Sequence, residues 1–190
     1  MPPLPRRFYE RSPDIVAIEL LGKELIAKVR SRVTAGIIVE TEAYFGKGDP
    51  ASRASKRKTP MNEIMWDRGG LAFIYMVHGN WLFNITADKP GVPGAVLIRA
   101  IEPTKGVETM KRRRHAKYTE LTSGPGKLTQ ALGITNRHHG SDVTDPTNEI
   151  IVERGLKKKF QLCTSHRIGV RDDTKRELRF FVKDCPFVSK

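Results

Sequence analysis

The hydrophobic and polar positions in the first quarter of the chain predict one helix followed by a β-hairpin. The triplet Ser-Pro-Asp at 12–14 supplies a capping side chain, a fixed first helical residue and an acid in the first turn. Gly22 is expected to end this helix. Two runs rich in apolar and β-branched residues follow at 24–30 and 33–45, separated by a short polar turn. Such runs with a short connection are typical of paired antiparallel strands.

A second hairpin and a buried strand are predicted further along the chain. Apolar runs at 73–77 and 81–86 flank His78-Gly79-Asn80, and three connecting residues that include a glycine are typical of a hairpin tip. The run 95–101 is apolar apart from one arginine, which predicts a buried strand. The other predicted elements are a basic loop at 46–60, a short helix near 61–66, helices at 104–117 and 124–132, and strands near 149–153, 166–171 and 178–183. This pattern predicts a mixed α/β (α+β) fold, and without a linker or a repeat it predicts one domain over residues 1–190.

The charge of the chain indicates a polyanionic partner. There are 34 Lys and Arg against 21 Asp and Glu, a formal net charge of +13. Basic runs lie at 53–58, 111–114 and 157–159, and each alone would ordinarily be a solvated surface. Because all of them occur on one strongly basic chain, contact with phosphates is favoured, and Arg57 and Lys58 are predicted to bind nucleic acid. Charge does not distinguish DNA from RNA, or binding from catalysis.

Several classes of protein are not expected. No run approaches the ~18 apolar residues of a membrane-spanning helix, and no apolar stretch follows the basic residues at the start, so an intracellular, non-secreted protein is expected. Cys163 and Cys185 are too few for a disulfide framework or an all-cysteine zinc site. Cys163 and His166 have a spacing that metals use, but two ligands without a further pair favour a buried thiol, a surface histidine and no metal.

The run 39–44 is the most informative stretch for chemistry. Alternate residues of a strand share a face, so Glu40, Glu42 and Tyr44 are predicted to project together. Carboxylates in so apolar a run are costly to bury unless they are paired or used. A carboxylate beside an aromatic ring is suited to activating a water while the ring holds a planar substrate. The alternatives are an edge strand with its acids in solvent, or a salt bridge to Arg99.

Arg99 presents the same problem with the opposite charge, because a buried guanidinium needs a carboxylate or a bound anion. Direct pairing with Glu40 or Glu42 would be structural, whereas pairing through a water would be catalytic. The spacing does not choose between them.

Two further segments could contact nucleic acid. The predicted tip at 78–80, followed by Trp81, could enter a minor groove as the wedge that fills the gap left by an extruded base, although an ordinary surface turn is the alternative. The Gly-rich segment 123–128 opens a predicted helix whose amides, with Lys127, could hold a phosphate. Its residue order is not that of a Walker A loop, so a nucleotide triphosphatase is not expected.

Motifs over nearly the whole chain resemble the alkyladenine (3-methyladenine) DNA glycosylase family. In the family's order they are VETEAYFG at 39–46, DPAS at 49–52, TP at 59–60, VLIRAIEP at 96–103, GVETM at 106–110, SGPGKL at 123–128 and VERG at 152–155. The resemblance implies a monofunctional base-excision enzyme without metal or cofactor, which acts as a monomer on double-stranded DNA containing damaged purines. It also implies a compact domain with a curved, mainly antiparallel sheet, surrounding helices and a protruding β-hairpin that inserts into DNA.

The resemblance also implies roles for individual residues. Glu42 is similar to the family's general base, which deprotonates the water that attacks C1′ of the flipped nucleotide. Arg99 and the backbone carbonyl of Ile168 match groups that hold this water. Tyr44 matches the aromatic floor on which the base stacks, and Tyr75 matches a second pocket aromatic.

Departures from the family pattern affect three other positions. Arg53 stands where the family normally carries a histidine that stacks on the base, and its charge opposes a cationic base, which favours neutral lesions such as hypoxanthine or ethenoadenine. His78 occupies the place of an inserting tyrosine, with Asn80 as a second tip residue. The hairpin is one residue shorter than usual before Asn84, which is predicted to gate the pocket.

Two other functions remain open from the sequence. A nucleic-acid-binding protein without catalysis would leave the inward Glu42 and Arg99 unexplained. A metal-dependent nuclease could use Glu40 with Glu42, but such sites generally recruit a further acidic or histidine ligand.

Overall fold

Eight antiparallel strands and four α-helices account for most of the regular structure in residues 1–155 and 159–189, the part of the chain that the computed structural model describes. The helices are α1 (Arg6–Tyr9), α2 (Pro13–Leu20), α3 (Val107–Arg113) and α4 (Pro125–Leu132). The strands are β1 (Glu24–Val29), β2 (Arg32–Tyr44), β3 (Ala72–Val77), β4 (Asn80–Thr86), β5 (Ala95–Lys105), β6 (Ile150–Glu153), β7 (Leu162–Ser165) and β8 (Arg179–Val182). Short 3₁₀ turns lie at Glu63–Trp66, Tyr118–Glu120 and Asn136–His138.

Strand β2 is the centre of the sheet because both of its edges carry partners. β5 pairs along one edge, while β1 pairs with the first half of the other edge and β8 with residues 40–42. The order is β3-β4-β5-β2-β1-β6, with β8 and then β7 joined beside the second half of β2. The ladder with β5 shifts register on both sides of Glu40. Two acidic residues, Glu40 and Glu42, are thereby placed in the interior of the sheet rather than at its edge.

The helices cover the sheet with their apolar sides. α2 packs on β2 and β5, and α4 packs on β4 and β5, so Ile38 and Leu128 belong to one continuous core. A second, small cluster anchors the basic loop 46–60 and the following 3₁₀ turn to β3 and β5; its buried members are Ala54, Met65, Phe73 and Ala95. Burying an apolar side chain is worth about 1.5–3 kcal/mol. The loop is therefore fixed to the sheet by apolar packing of its own.

Most of the predicted architecture is confirmed. The fold is α+β with a curled antiparallel sheet, the helix predicted to begin at residues 12–14 forms as α2 (Pro13–Leu20), and both predicted hairpins form, as β1–β2 and β3–β4. Residues 46–60 contain no helix or strand, as their lack of apolar periodicity predicted.

Three local predictions are wrong in their details. The strand expected near 166–171 lies earlier, at Leu162–Ser165, because the backbone and side chain of Arg167 bond to Asp173 and end the ladder. The second hairpin turns on two residues, His78 and Gly79, rather than three. Both have positive φ, 46° and 75°, as a tight turn between twisted strands requires.

The third difference lies after β5. That strand continues to Lys105, and the helix expected at 104–117 is confined to Val107–Arg113. Gly106, with φ of 72°, makes the left-handed junction, and a side chain there would collide with the backbone of Val33. The basic run 157–159 lies outside the described residues except for Lys159. None of the helices in the described ranges has both the length and the apolar character to cross a membrane.

Candidate active site

A cavity of about 820 Å³ opens where the end of β2, the β3–β4 hairpin and the start of α4 meet. Tyr44, Tyr75 and Arg99 lie in its walls. The loops around residues 50–53 and 168–172 close two further sides. Residues predicted from distant parts of the sequence therefore converge on one site.

Glu42 lies directly behind this cavity and has no exposed surface. The backbone N–H of Ile168 donates to Oε1 over 2.8 Å, and the Tyr44 hydroxyl donates to Oε2 over 2.8 Å. The Nη1 of Arg99 lies 3.2 Å from Oε1. Burial raises the pKa of Glu42 above its usual range, although these three donors act in the opposite direction. The carboxylate is thus a proton acceptor stronger than an ordinary glutamate, held in a fixed orientation.

Glu40, two residues earlier, is also fully buried but has a different environment. Its Oε1 accepts bonds from Nε of Arg99 at 2.9 Å, Nε of Arg179 at 2.7 Å and the Ser189 hydroxyl at 2.7 Å. Its Oε2 accepts the Ser189 N–H at 2.7 Å. Glu40 therefore binds two arginines at once and orients both of them.

Arg99 joins the two carboxylates. It pairs directly with Glu40 through Nε and with Glu42 through Nη1, so the alternative with both acids in solvent is wrong, and the pairing is of the direct kind that was predicted to be structural. Burial disfavours its charge, but both glutamates outweigh this and raise the pKa of Arg99. The guanidinium also lines the cavity. Arg99 is therefore both the partner of a structural carboxylate and a cation available to a molecule in the cavity.

Ile168 contacts Glu42 through its amide. The resemblance implied that its backbone carbonyl would hold a water, whereas the bond seen is donated by its N–H to Oε1 of Glu42. Its side chain is partly exposed and lines the cavity. The observed contribution of Ile168 is therefore to hold the carboxylate.

Two aromatic rings form part of the cavity wall. Tyr44 and Tyr75 both line it, and the Arg53 guanidinium lies over the Tyr75 ring, 4.8 Å from its centroid. Burial raises the pKa of Tyr75, while Arg53 and Asn84 partly offset this by charge and hydrogen bonding. Asn84 itself is buried behind the wall, where its amide donates to the Phe73 carbonyl over 3.1 Å. It supports the wall and is not among the residues that line the cavity, whereas it was predicted to gate the pocket.

The residues predicted to contact DNA lie around the mouth of the cavity or beyond it. His78 and Lys127 are exposed and line the mouth. Asn80 also lines it, but its side chain accepts a bond from Gln130 at 2.9 Å and so ties the hairpin to α4. Arg57 and Lys58 are exposed on the basic loop and are not part of the cavity wall.

Two buried arginines were missed by sequence reasoning: Arg179, which binds Glu40, and Arg167, although its neighbour Ile168 was singled out. The Arg167 side chain has no exposed surface, and it binds Asp49 through both Nη atoms, at 2.8 and 2.6 Å, and Asp173 through Nε at 3.0 Å. Its Cζ lies 4.6 Å from the centroid of the Tyr44 ring. The signal was present in the DPAS motif, because an aspartate between a glycine-rich segment and a proline needs a partner if the loop folds inward.

Two groups of residues have side chains that could contribute to a metal site: Cys163 with His166, and the two glutamates of β2. Within residues 1–155 and 159–189, no three His, Cys, Asp or Glu side chains are grouped so that they could hold a metal ion. His166 lies instead near Asp173, with 3.9 Å between Nδ1 and Oδ2.

A buried glutamate and arginine beside an aromatic-walled cavity, on a basic α+β chain, define a candidate enzyme of nucleic acid chemistry. The family model for methylpurine-DNA glycosylase (MPG) matches residues 7–186. The chain therefore belongs to this family of DNA-repair enzymes, hydrolases that act on N-glycosyl bonds. The resemblance drawn from the seven motifs is confirmed.

Relatives with the provisional name 3-methyladenine DNA glycosylase are similar over their full length. The protein of Methanocella arvoryzae is 44% identical, over 100% of this chain and 97% of its own. That of Prosthecochloris aestuarii is 41% identical, over 97% and 90%, and that of Koribacter versatilis 38%, over 98% and 93%.

Proposed function

We propose that this glycosylase flips damaged purines out of double-stranded DNA and hydrolyses the N-glycosidic bond with a water activated by Glu42, leaving an abasic site. The observation that carries the proposal is the position of Glu42, which is fully buried, held by three donors and directly behind an aromatic-walled cavity. A carboxylate is costly to bury. Glu40 is shared by Arg99 and Arg179, whereas all three donors to Glu42 line the cavity, so Glu42 is the carboxylate placed for chemistry.

The reaction follows from the charges that develop at the sugar. As the bond from C1′ to the base nitrogen breaks, its electron pair leaves with the base and C1′ becomes positive. Glu42 stabilises that charge and takes a proton from the water whose oxygen bonds to C1′. Arg99 reaches both Glu42 and the cavity, and it is the side chain placed to hold this water. No covalent bond between enzyme and sugar is required.

The base would enter between Tyr44 and Tyr75. Both are wall residues of a cavity whose volume of about 820 Å³ exceeds that of a purine base and also leaves space for part of the sugar. Extrusion of a damaged base costs less than extrusion of a sound one, because its pairing and stacking are already weakened. His78, at the exposed turn, is the residue that would fill the gap in the stack.

The basic surface around the mouth would grip the phosphates on either side of the flipped nucleotide. Lys127 lies at the mouth, and Arg57 and Lys58 lie on the fixed loop beside it. Each such contact releases counterions, so affinity for DNA should fall steeply with salt. A chain of 190 residues is large enough to act on DNA as a monomer.

The lesion class is proposed from Arg53. Its guanidinium already covers the Tyr75 ring at 4.8 Å, and its positive charge opposes a base that is itself cationic. Hypoxanthine and ethenoadenine should therefore be preferred to 3-methyladenine. Single-turnover excision on duplexes that differ only in the lesion measures this, and the variant Arg53→His is the matched comparison. The preference would be refuted if 3-methyladenine left faster than the neutral bases at saturating enzyme.

One assay distinguishes the proposal from the two other functions. Duplex containing hypoxanthine is incubated with the protein in EDTA and then treated with alkali. Alkali-labile sites that form despite EDTA support a glycosylase, whereas strand cuts that EDTA abolishes support a metal-dependent nuclease. Binding of the duplex without base release or strand cleavage supports a nucleic-acid-binding protein without catalysis.

A further inference from the structure

Arg167 is a buried charge for which the proposed chemistry gives no role. It lies in the loop between β7 and β8, its side chain is completely enclosed, and its guanidinium is shared between two aspartates. Its Nη1 also donates to the carbonyl of Ala43, 2.9 Å away, on the catalytic strand β2. Burying several charged groups costs free energy, and apolar residues of similar volume would often stabilise the fold equally well. The stability of the fold therefore does not by itself explain the cluster.

The cluster around Arg167 joins three segments that surround the cavity. Asp49 comes from the start of the basic loop, where it also accepts the backbone N–H of Phe45 at 2.9 Å and of Ala51 at 3.2 Å. Asp173 closes the 166–173 loop by accepting the N–H of Arg167 itself at 3.1 Å. Burial opposes the ionisation of Asp173, but hydrogen bonds led by those from Arg167 lower its pKa below the usual range. Each carboxylate thus fixes one loop to the same guanidinium.

Two of the donors on Glu42 depend on this guanidinium. The Tyr44 ring lies on Arg167, 4.6 Å from Cζ to the ring centroid, and the hydroxyl of that ring donates to Oε2 of Glu42. Ile168 is the next residue after Arg167, and its N–H donates to Oε1 of Glu42. Arg167 therefore sets the position of one donor through stacking and of the other through the backbone.

We propose that Arg167 is a positioning residue for the general base: it holds the Tyr44 hydroxyl and the Ile168 amide on the two oxygens of Glu42. This inference rests on the proposed role of Glu42 and extends it to a residue that touches neither substrate nor water. The remaining charged or titratable groups that face Glu42 are Arg99 from β5, Glu40 from β2 and Tyr75 from β3. None of these three bonds to Arg167, so they stay in place when it is changed.

Loosening the two donors should make Glu42 harder to ionise. Hydrogen bonds to a carboxylate favour its charged form, so their loss raises the pKa of Glu42 further. A general base works only when ionised. If the pKa of Glu42 rises, the acid limb of the pH–rate profile, where excision slows as Glu42 becomes protonated, must therefore move to higher pH. Lys at position 167 keeps the charge but cannot bind both aspartates as a planar fork does. The shift expected for Arg167→Lys is about one pH unit, and the plateau rate should fall about 10-fold through misplacement.

The test measures single-turnover excision of hypoxanthine from pH 5 to 9, at saturating enzyme, for the wild type and for Arg167→Lys, Arg167→Met and Asp49→Asn. Asp49→Asn weakens the anchor of Arg167 without touching Tyr44 or Ile168, and it replaces Arg167→Met if that variant does not fold. The control is Arg6→Met, which removes a partly buried ion pair with Asp142 elsewhere in the fold. We expect upward shifts of the acid limb for the position 167 and 49 variants and none for the control.

A titration of the Glu42 carboxyl by carbon-13 NMR, with the signal identified by its loss in Glu42→Gln, separates this inference from the proposed function. A raised pKa of Glu42 in the Arg167 variants supports the positioning role even if the wild type excises nothing, an outcome that would refute only the proposed function. Unchanged titration and unchanged acid limbs, with the variants merely less heat-stable like Arg6→Met, would overturn the inference.

Discussion

The two buried glutamates of β2 share a strand, a face and an arginine, yet their environments differ. Glu40 is held by two arginines, Arg99 and Arg179, and by Ser189, and Arg179 does not line the cavity. Glu42 is held by one arginine, and all three of its donors, Arg99, Tyr44 and Ile168, line the cavity. A carboxylate shared by two interior arginines stabilises the fold, whereas one whose donors all reach the cavity wall can exchange a partner for substrate or water.

The largest expected difference in stability comes from the same substitution at these two positions. Glu40→Gln leaves Arg179 and part of Arg99 buried without a counter-charge, and a broken buried pair of this kind typically costs about 3–5 kcal/mol. Glu42→Gln removes the 3.2 Å pair with Arg99 but leaves Glu40 as its counter-charge, and it relieves the cost of burying a second carboxylate, so the loss of unfolding free energy at pH 7 should be clearly smaller. Urea unfolding at matched protein concentration measures both. Equal losses for the two variants would contradict the assignment of a structural and a functional glutamate.

A smaller effect is expected in the pH dependence of stability. The folded protein raises the pKa of Glu42, so its contribution to stability is complete below the unfolded pKa and is lost as pH rises through the folded pKa. The difference in unfolding free energy between the wild type and Glu42→Gln should therefore decrease with rising pH, by at most about 1.4 kcal/mol per pH unit in that window. Asp142 and Asp173 have lowered pKa values, and their contributions are lost in the opposite direction, as pH falls.

Subtracting the unfolding free energy of Glu42→Gln from that of the wild type cancels the contributions of Asp142 and Asp173, which are present in both proteins. The remaining pH dependence belongs to Glu42. A difference that increased with pH would mean that the folded state favours the charged form of Glu42. The raised pKa would then be wrong, and with it the description of Glu42 as a proton acceptor stronger than an ordinary glutamate.

The sequence was sufficient for features that depend on neighbours along the chain. Alternation in β2 placed Glu40, Glu42 and Tyr44 on one face, and the apolar run around Arg99 predicted its burial. The turn at His78 was located to within one residue. In each case the controlling contacts are local, so the residue pattern records them.

Features that depend on distant pairs could not be predicted in the same way. A strand was expected near 166–171, but Arg167 is held there by Asp49, 118 positions earlier. Similarly, Ser189, whose N–H donates to Oε2 of Glu40, lies 149 positions after it. A side-chain pair across such a separation leaves no periodicity in the sequence, and only the sheet and its loops bring the two partners together.

The most direct test of the central claim is single-turnover excision of hypoxanthine by Glu42→Gln, compared with Glu40→Gln and the wild type at saturating enzyme and matched DNA binding. General base catalysis contributes about 10²–10⁴-fold, so Glu42→Gln should lose at least about 100-fold in rate while binding the duplex as tightly as the wild type. Glu40→Gln, where folded, should lose less than Glu42→Gln, because Arg99 keeps Glu42 as a partner. Near-full excision by Glu42→Gln would contradict the account.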